Sequence, residues 1–306
     1  MSQYSEWLWY DGRFIETESA SIPVLTHSLH YGVAVFEGIR AYRTADRGTA
    51  IFRLDTHLQR FFASAHAYRM KLPYSFEELT AAHVELMRKI QLDEAYLRPI
   101  AFFGSEKMGL LPKGLSVHVA IAAWPWGAYL GDNAAMSGVR ARTSSFVRPV
   151  ANSGLTRAKI SGNYPNSILA KIEATDDGYD EALLLDSQGY VAEGSGENIF
   201  IVKRDTLIEP EPAAALLGIT RESVILLAQE LGLKFEARRL TRDDVYGADE
   251  AFFTGTATEV VPIVELDRRS IGTGKRGPVT ERLQLAYANA IRGRDPKHRE
   301  WLTYVS

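Results

Sequence analysis

Lys159 is the residue of this sequence whose surroundings are best suited to covalent chemistry. It lies in the segment T-R-A-K-I-S-G-N-Y, where small and apolar residues flank it. A lysine that is partly withdrawn from water is suited to Schiff-base chemistry with a carbonyl compound. The plainer interpretation is a solvated surface lysine, because most lysines of folded proteins are exposed. The neighbouring residues alone leave both interpretations open.

Three further features could bind an anion such as a phosphate. The segment G-I-T at 218–220 stands where a helix is predicted to begin, and a helix start offers backbone N–H groups and the positive end of the helix dipole. The segment T-G-T-A at 254–257 is a predicted strand-to-turn transition, whose small residues let a ligand approach the backbone. Arg60 could add a forked cation. Helix caps and glycine turns are also everyday structure, so none of these features identifies a phosphate site alone.

Glu193 and a group of aromatic residues are the remaining candidates. Glu193 stands in the Gly-rich stretch E-G-S-G-E, where it is either a buried acid that needs a cation or an exposed turn residue. The stretch by itself favours the turn. Aromatic residues near Gly and Pro could line an apolar pocket, although most aromatic side chains belong to a core. These aromatic residues are Tyr31, Phe36, Tyr96, Trp124, Trp126, Tyr129 and Tyr164.

Composition and motifs exclude several kinds of site. The 306 residues include no cysteine, which excludes disulfides, thiolate zinc sites and a thiol nucleophile. The seven His residues show no H-E-x-x-H or similar spacing, so no metal is expected. No G-x-G-x-x-G string follows a predicted strand and no G-x-x-x-x-G-K-[ST] string occurs, so a nucleotide-binding fold is not supported.

Charge and hydropathy bear on partners and location. The net charge of −3 argues against nucleic acid as a partner. The longest apolar run is far shorter than the roughly 20 residues that cross a bilayer, so no membrane partner is expected. The first ten residues lack the pattern of a signal peptide. The absence of cysteine fits the cytoplasm, which is the expected location.

Turn and cap signals predict the elements that must position these residues. Asp11-Gly12, between W-L-W-Y and R-F-I-E, predicts a tight hairpin. A helix is expected from near Asp55, and Ser75 with Glu78 forms a capping-box pattern ahead of another. Thr220 is predicted to cap a third helix. Hairpins and helices are mixed without regular alternation, so the predicted fold class is α+β.

A series of longer strings occurs in order along the chain, from about residue 5 to residue 303. They are H-S-L-H-Y-G-V-A-V-F-E-G-I-R-A-Y at 27–42, H-L-Q-R at 57–60, Y-L-R-P at 96–99, K-M-G-L at 107–110, A-A-W-P-W-G-A-Y-L at 122–130, A-K-I-S-G-N-Y at 158–164, E-G-S-G-E-N-I-F at 193–200, L-G-I-T-R at 217–221 and F-T-G-T-A-T-E at 253–259. In these strings the sequence closely resembles the class IV aminotransferases, and among them the branched-chain amino acid aminotransferases. The resemblance implies a fold type IV enzyme. It would have a small N-terminal α/β domain at 1–127, an interdomain linker at 128–137 and a large C-terminal domain at 138–306 that binds the cofactor.

The resemblance also implies the cofactor, pyridoxal 5'-phosphate (PLP), and a role for each matching position. Lys159 is the lysine that binds PLP covalently and moves the proton during transamination. Glu193 matches the carboxylate that faces the pyridine nitrogen and keeps it protonated. Tyr164 matches the residue that contacts the ring hydroxyl. The positions that match the phosphate site are Arg60, Ile219, Thr220 and Thr256.

Substrate recognition follows from the same resemblance. Tyr96, with the backbone of Thr256 and Ala257, matches the α-carboxylate site, and Arg98 matches the position that accepts the second carboxylate of glutamate. The apolar walls around a branched side chain match Phe36, Tyr31, Trp126, Tyr129 and Tyr164. In relatives, Tyr31 and the 107–110 loop approach the active site of a neighbouring subunit. A homodimer is therefore the expected minimum assembly, and a larger homo-oligomer stays open.

The implied reaction is a ping-pong transfer of the amino group from L-leucine, L-isoleucine or L-valine to 2-oxoglutarate, giving a branched 2-oxo acid and L-glutamate. One alternative has the same fold and another selectivity: a D-amino-acid or (R)-amine transaminase, or an aminodeoxychorismate lyase. Another is a non-catalytic protein that keeps the fold. The strings Y-G-V-A-V-F-E-G-I-R and Y-L-R-P favour the first reaction, and the joint presence of Lys159, Glu193 and Arg60 argues against the last. Arg157 and Ile160 depart from the commonest pattern, which bears on the substrate range.

Overall fold

The computed structural model describes residues 4–127, 130–131, 133–150, 152–211 and 215–306. The chain divides into two compact units. Unit 1 contains Met1–Trp126, Ala158–Gly162 and Asn289–Ser306, and unit 2 contains Gly127–Arg157 and Asn163–Ala288. Within the described ranges, no helix is both long enough and apolar enough to cross a membrane.

The strands, in chain order, are β1 (Trp7–Tyr10), β2 (Arg13–Glu16), β3 (Ala34–Phe36), β4 (Ile39–Arg43), β5 (Thr49–Phe52), β6 (Ala95–Phe103), β7 (Val117–Trp124), β8 (Val139–Val147), β9 (Glu181–Leu185), β10 (Val191–Gly194), β11 (Asn198–Lys203), β12 (Thr206–Pro210), β13 (Lys234–Arg238), β14 (Glu250–Gly255), β15 (Glu259–Leu266), β16 (Arg269–Ser270) and β17 (Leu302–Tyr304). The α-helices are α1 (His27–Tyr31), α2 (Leu54–Ala67), α3 (Phe76–Ile90), α4 (Ala134–Ser137), α5 (Tyr164–Asp176), α6 (Ile219–Glu230), α7 (Arg242–Tyr246) and α8 (Pro278–Ile291). Short 3-10 helices cover Thr17–Ser19, Ser161–Asn163 and Pro296–Trp301. The mixture confirms the predicted α+β class.

Unit 1 is built on an antiparallel sheet in the order β17-β5-β4-β6-β7-β1-β2, with β3 paired to β6. Asp11 and Gly12 both have positive φ, +44° and +87°, which confirms the predicted hairpin between β1 and β2. The predicted capping box is present at the start of α3, where Ser75 and Glu78 each accept the other's backbone N–H.

The core of unit 1 lies between this sheet and helices α2 and α3. Leu58 and Phe61 of α2 and Leu79 and Leu86 of α3 are fully buried there. Each such side chain stabilises the fold by roughly 1.5–3 kcal/mol on transfer from water. The spacing of three residues in α2 and of seven residues in α3 places one face of each helix on the sheet.

A short segment from the middle of the chain, residues 158–162, belongs to unit 1 because it pairs with the strand β3. Ile160 forms an isolated antiparallel bridge with Val35. The Gly162 N–H donates to the Gly32 carbonyl oxygen at 2.8 Å, and the Ser161 hydroxyl donates to the same oxygen at 2.7 Å. The segment that carries Lys159 is therefore fixed on both sides of the lysine.

Unit 2 contains a mixed sheet in the order β10-β9-β8-β15-β14-β11-β12-β13, with β16 added to β15. The pairs β8 with β9, β8 with β15 and β12 with β13 are parallel, and the other pairs of this path are antiparallel. Leu183, Phe253 and Ile263 are among its buried core residues. Ala170 and Ala174 of α5 pack on the β9 residues Ala182 and Leu184 in a smaller cluster.

The compact units interleave along the sequence, whereas the predicted domains are continuous stretches. Residues 158–162 and 289–306 fall in unit 1, because the first segment pairs with β3 and because β17 pairs with β5. The ranges 1–127 and 138–306 stay a prediction for biological domains. Of the predicted linker 128–137, residues 134–137 form α4, while 128, 129 and 132 lie outside the described residues.

Candidate active site

Lys159 is half-buried in unit 1, between strand β3 and helix α2. Its N–H donates to the Ser64 hydroxyl oxygen of α2 at 3.0 Å, and its carbonyl oxygen accepts the Phe36 N–H at 3.1 Å. The Lys159 Nζ lies 5.2 Å from the centre of the Phe36 ring. The lysine is thus held against an aromatic surface by its own backbone, in an environment suited to covalent amine chemistry.

Arg98 lies in a cluster of aromatic rings next to this lysine. Its Cζ is 4.8 Å from the Phe36 ring centre, 5.4 Å from Tyr96 and 5.8 Å from Trp124. The rings of Tyr96 and Trp126 are 4.8 Å apart, so Trp126 extends the same cluster. Among the described residues, Arg98 has no carboxylate within ion-pair distance, and its buried Nε has no hydrogen-bond partner. A cation that aromatic rings surround in this way can receive a carboxylate from a ligand.

Tyr96 occupies its position because residue 38 is glycine. A Cβ at Gly38 would lie 1.9 Å from the Tyr96 hydroxyl oxygen, so any other residue at position 38 would displace the Tyr96 side chain. The Arg98 Nη2 donates to that hydroxyl at 3.4 Å. The F-E-G-I-R string therefore creates the space in which the Tyr96 hydroxyl and the Arg98 guanidinium meet.

Arg60, on α2, is held by a fully buried carboxylate at Glu37. The Arg60 Nε donates to Glu37 Oε1 at 2.6 Å and Nη2 donates to Oε2 at 2.8 Å. The His57 Nδ1 also lies 2.8 Å from Glu37 Oε2. Burial opposes ionisation of Glu37, but the charge and hydrogen bonds of Arg60, with those of His57, hold the pKa of Glu37 well below its usual range. Burial lowers the pKa of His57, although its hydrogen bond to Glu37 opposes that shift.

Glu193 lies on β10 in unit 2 and is buried, so its interpretation as an exposed turn residue is wrong. Its cationic partner is Arg148, whose Nε is 2.8 Å from Glu193 Oε1. The Arg148 N–H does not point at the oxygen, so the contact is an ion pair and not a hydrogen bond. Oε2 of Glu193 accepts the Leu216 N–H at 3.2 Å, which ties the carboxylate to the segment before α6. An acid balanced in this way can face a protonated ring nitrogen.

Helix α6 begins at Ile219, and Gly218 occupies its N-cap position with no side-chain hydrogen bond. The prediction that Thr220 caps this helix is wrong, because Thr220 is already the second helical residue. A Cβ at residue 218 would lie 2.1 Å from Asn198 Oδ1, so the start of the helix needs glycine there. The uncapped start leaves the first N–H groups, those of Ile219 and Thr220, available to an anion.

The turn between β14 and β15 carries Thr256 and Ala257, which are both half-buried. Within the described residues, no hydrogen bond engages the backbone N–H of either residue. Glu197 fastens the far end of this turn, since its Oε1 accepts the Thr258 hydroxyl at 3.1 Å. Its Oε2 accepts the Gly196 N–H at 3.0 Å. The turn is thus held in place by a buried carboxyl and presents two N–H groups to a ligand.

Glu197 gives a pH-dependent prediction for unit 2. Burial first, and then the charge of Glu181, raises the pKa of Glu197 to about 8. A group whose pKa is higher in the folded than in the unfolded state stabilises the fold fully at low pH, and that contribution is lost as the pH rises through the folded value. We expect the free energy of unfolding of the wild type to fall between about pH 4.5 and pH 8, by up to about 1.4 kcal/mol per pH unit from this group. In Glu197→Gln, this part of the slope should be absent.

Urea unfolding at pH 5.5, 7 and 8.5 measures the effect. Titrating groups that do not interact with Glu197 contribute equally to the wild type and to Glu197→Gln, so the difference between the two curves isolates Glu197 and its interaction with Glu181. Parallel curves would show that Glu197 is already ionised at neutral pH. The exposed Glu85→Gln is the matched control, and it should keep the wild-type slope.

The other predicted site residues lie as follows. Tyr31 ends α1, is 38% exposed, and its ring is 4.6 Å from that of His27. Tyr164 is half-buried at the first residue of α5, in unit 2. Trp126 is half-buried beside Tyr96. Tyr129 lies outside the described residues.

The structure adds residues that the sequence interpretation did not select: Glu37, His57, Ser64, Arg148 and Glu197. Three of them stand inside quoted strings, Glu37 in F-E-G-I-R, His57 in H-L-Q-R and Glu197 in E-G-S-G-E-N, so their place in a string was a usable signal. Arg148 stands in no string, and its partner, Glu193, lies 45 residues further along the sequence. Nothing local in the sequence points to it.

Comparisons with known proteins agree with this geometry. The sequence pattern of the family described as amino-transferase class IV matches residues 34–266. A branched-chain-amino-acid aminotransferase of Pseudomonas aeruginosa is 55% identical, over 97% of this chain and 97% of that protein. The enzyme of that name from Escherichia coli K12 is 42% identical, over 99% of this chain and 98% of its own.

Solved structures are similar over the same extent. The T.th. branched-chain amino acid aminotransferase with pyridoxamine 5'-phosphate superposes with a TM-score of 0.97, at 48% identity and full coverage, 100%, of both chains. The same enzyme complexed with N-(5'-phosphopyridoxyl)-L-glutamate gives a TM-score of 0.95 at 48% identity, covering 99% of each chain. The family match spans most of the chain, and the identities exceed what a shared fold alone would need. The chain therefore belongs to the class IV aminotransferase family, in its branched-chain group.

Proposed function

We propose that this protein is a branched-chain amino acid aminotransferase, which moves the amino group of L-leucine, L-isoleucine or L-valine to 2-oxoglutarate with PLP as cofactor. The observation that carries the proposal is the setting of Arg98: a cation without a carboxylate partner among the described residues, inside aromatic walls that end at Lys159. Relatives of 42% and 55% identity share the name of this activity. The ligands bound to the T.th. enzyme are a form of the cofactor and its adduct with glutamate.

The residues present fit PLP on the chemistry of their donors. An aldehyde needs an amine, which Lys159 offers. A phosphate needs N–H donors and a cation, which the uncapped start of α6, the turn at Thr256 and the guanidinium of Arg60 offer. A pyridine nitrogen that is to stay protonated needs an acid, which Glu193 offers. Each unit therefore contains donors that match a part of the cofactor.

When bound, PLP supplies an aldehyde that takes up the amino group and a ring that accepts the electron pair of the substrate Cα. Lys159 would hold the cofactor through its amine, and the same Nζ would serve as the group that accepts and donates a proton. Ser64 and Phe36 fix the backbone of Lys159, so the amine moves through side-chain rotation only. Glu193 would face the ring nitrogen, and its ion pair with Arg148 balances its charge.

The phosphate is assigned to Arg60, Ile219, Thr220 and Thr256, and the ring hydroxyl to Tyr164. The α-carboxylate of the substrate is assigned to the Tyr96 hydroxyl and to the N–H groups of Thr256 and Ala257. Phe36, Trp126, Tyr31, Tyr129 and Tyr164 provide the apolar walls for a branched side chain. The same pocket takes the second carboxylate of glutamate because Arg98 stands at its aromatic wall.

A homodimer is the proposed minimum assembly. Val24, Leu110 and Leu111 are 74%, 87% and 70% exposed, and a hydrogen bond of 2.8 Å between His27 Nε2 and the Gly109 oxygen keeps their two segments adjacent. Large apolar side chains exposed side by side are typical of a surface that a partner covers. A second copy would cover them and bring Tyr31 and the 107–110 loop to its own site. The cytoplasmic location stays a prediction.

A donor panel tests the proposed reaction. Protein purified with PLP should absorb visible light, and L-leucine added without an acceptor should convert that band to one at shorter wavelength. With 2-oxoglutarate present, L-leucine, L-isoleucine and L-valine should each yield L-glutamate, measured by a coupled glutamate assay. Apoprotein without added PLP is the control. Faster turnover of D-alanine or of an (R)-amine would instead support the other selectivity, and no visible band with PLP in excess would support a non-catalytic protein.

A further inference from the structure

Glu37 is an ionised carboxylate placed where carboxylates are rare. It stands between β3 and β4, is fully buried, and its backbone N–H donates to the Pro99 oxygen at 2.9 Å. A buried carboxylate destabilises a fold unless cations and hydrogen bonds compensate it. Glu37 has both, since Arg60, His57 and the Gly38 N–H at 3.3 Å all reach its oxygens. The free-energy penalty of burying a carboxylate indicates that Glu37 has a role other than packing.

The contact with Arg60 fixes the orientation of a guanidinium. Both Glu37 oxygens are engaged by one edge of the Arg60 fork, through Nε and Nη2. A guanidinium is planar and has five N–H groups, so a carboxylate on the Nε edge turns the Nη1 edge in the opposite direction. His57 adds a hydrogen bond at 2.8 Å to the oxygen that Nη2 contacts, and this keeps the carboxylate from rotating.

One helix face connects this arrangement to the lysine. His57, Arg60 and Ser64 are spaced by three and four residues on α2, so their side chains point the same way. The first two hold Glu37, and Ser64 holds the backbone of Lys159. On the other side, Phe36 binds the Lys159 oxygen and is the chain neighbour of Glu37. The spacing between the arginine and the lysine is therefore fixed twice, through the helix and through the strand end.

We infer that Glu37, with His57, is a positioning residue that aims the guanidinium of Arg60 at the phosphate of PLP, at a set distance from Lys159. The inference rests on the proposed function, because it takes the phosphate assignment of Arg60 from there. The inference also predicts whether PLP affinity rises or falls when the Glu37 carboxylate is removed. A carboxylate acting by its charge alone would repel a phosphate, so its removal would tighten PLP binding. A carboxylate that orients the arginine does the reverse, and its removal weakens binding.

The experiment compares PLP with pyridoxal, the same ring without phosphate, in titrations of the apoprotein followed by visible absorbance. We expect Glu37→Gln to raise the Kd for PLP by about 10- to 100-fold, the size typical of residues that orient a ligand-binding side chain. The Kd for pyridoxal should stay at the wild-type value. A loss that is equal for both compounds would mean a general structural role and would overturn the inference, as would an unchanged or tighter PLP affinity. Glu85→Gln, an exposed acid on α3, is the matched control.

Arg60→Lys and the double variant Glu37→Gln with Arg60→Lys separate this inference from the proposed function. If Arg60→Lys leaves the preference for PLP over pyridoxal unchanged, the phosphate assignment itself is wrong. If Arg60→Lys weakens PLP binding and Glu37→Gln does not, only the present inference fails. If Glu37 acts through Arg60, the effects of the two substitutions are not independent. The double variant should then have about the same Kd for PLP as the single variant with the higher Kd.

If the Glu37→Gln apoprotein does not fold, the variant His57→Leu provides a second test of the positioning role of Glu37. This change removes one hydrogen bond to Glu37 and keeps the charge pair with Arg60. We expect a smaller loss of PLP affinity in the same direction, again without a change for pyridoxal. Wild-type affinity for both compounds in a folded His57→Leu protein would overturn the inference.

Discussion

Lys159→Ala should lower the rate of transamination by at least about 10⁴-fold, because a single amine serves as both the covalent attachment and the proton carrier. The phosphate and ring contacts do not depend on this side chain, so PLP should still bind, but without a covalent bond. The backbone contacts of residue 159 with Ser64 and Phe36 do not involve its side chain either, so the fold should be kept.

Borohydride reduction followed by mass measurement tests the attachment. The wild type should gain the mass of the reduced cofactor on the peptide that contains Lys159, and Lys159→Ala should gain none. Added methylamine should restore part of the activity of the variant, since a free amine can take over the proton transfer. Lys71→Ala, an exposed lysine of the same unit, should behave as the wild type. Retention of turnover in Lys159→Ala, or label on another lysine, would contradict the assignment.

Local features of the fold could be predicted because their causes lie within a few residues. The Asp11-Gly12 turn needs two positive φ angles, and the string itself supplies residues that tolerate them. The capping box at Ser75 and Glu78 closes within four residues. The N-cap of α6 is Gly218, two residues before the predicted Thr220, because the Asn198 side chain leaves room only for glycine at 218. That contact joins two residues that are 20 positions apart in the sequence.

The residues that support the site could not be predicted, because their partners lie far along the chain. The residues next to Glu193 favour a turn, because Arg148, which makes its burial tolerable, precedes it by a whole helix and a strand. Glu37 and Arg60 each belong to one of the quoted strings. The end of β3 and the face of α2 that carry them meet only in the folded unit 1. The sequence could thus predict single residues with suitable chemistry. It could not predict the ion pairs that support them, because those pairs depend on tertiary contacts.

One pocket has to accept both a branched apolar side chain and the carboxylate of glutamate, and the structure gives Arg98 the means to do so. A guanidinium exposed to water would be hydrated, and a hydrated cation packs poorly against an apolar substrate side chain. Against Phe36, Tyr96 and Trp124, at 4.8 to 5.8 Å from the ring centres, the Arg98 cation is stabilised by the ring faces. It can therefore lie beside an apolar side chain and still bind a carboxylate when one arrives.

Arg98→Met should separate the two half-reactions. The variant keeps an unbranched side chain with an apolar stem, although a shorter one, and removes the charge, so the reaction of L-leucine with the loaded enzyme should change little. The KM for 2-oxoglutarate should rise by about 100-fold or more, which corresponds to the loss of ~3 kcal/mol from a charge-assisted contact. Stopped-flow absorbance measures each half-reaction alone. The acceptor control is 4-methyl-2-oxopentanoate, which has no second carboxylate and should be used nearly as well as by the wild type.

Two comparisons make the outcome specific to Arg98. Arg98→Lys keeps a charge but loses the planar fork, so it should recover part of the affinity for 2-oxoglutarate and none of the two-point geometry. Arg43→Met, an exposed arginine on β4 of the same unit, should leave both acceptors unaffected. Equal losses with 2-oxoglutarate and with 4-methyl-2-oxopentanoate would mean that Arg98 only supports the aromatic wall. Because only 2-oxoglutarate carries a second carboxylate, a selective loss with this acceptor assigns that carboxylate to Arg98.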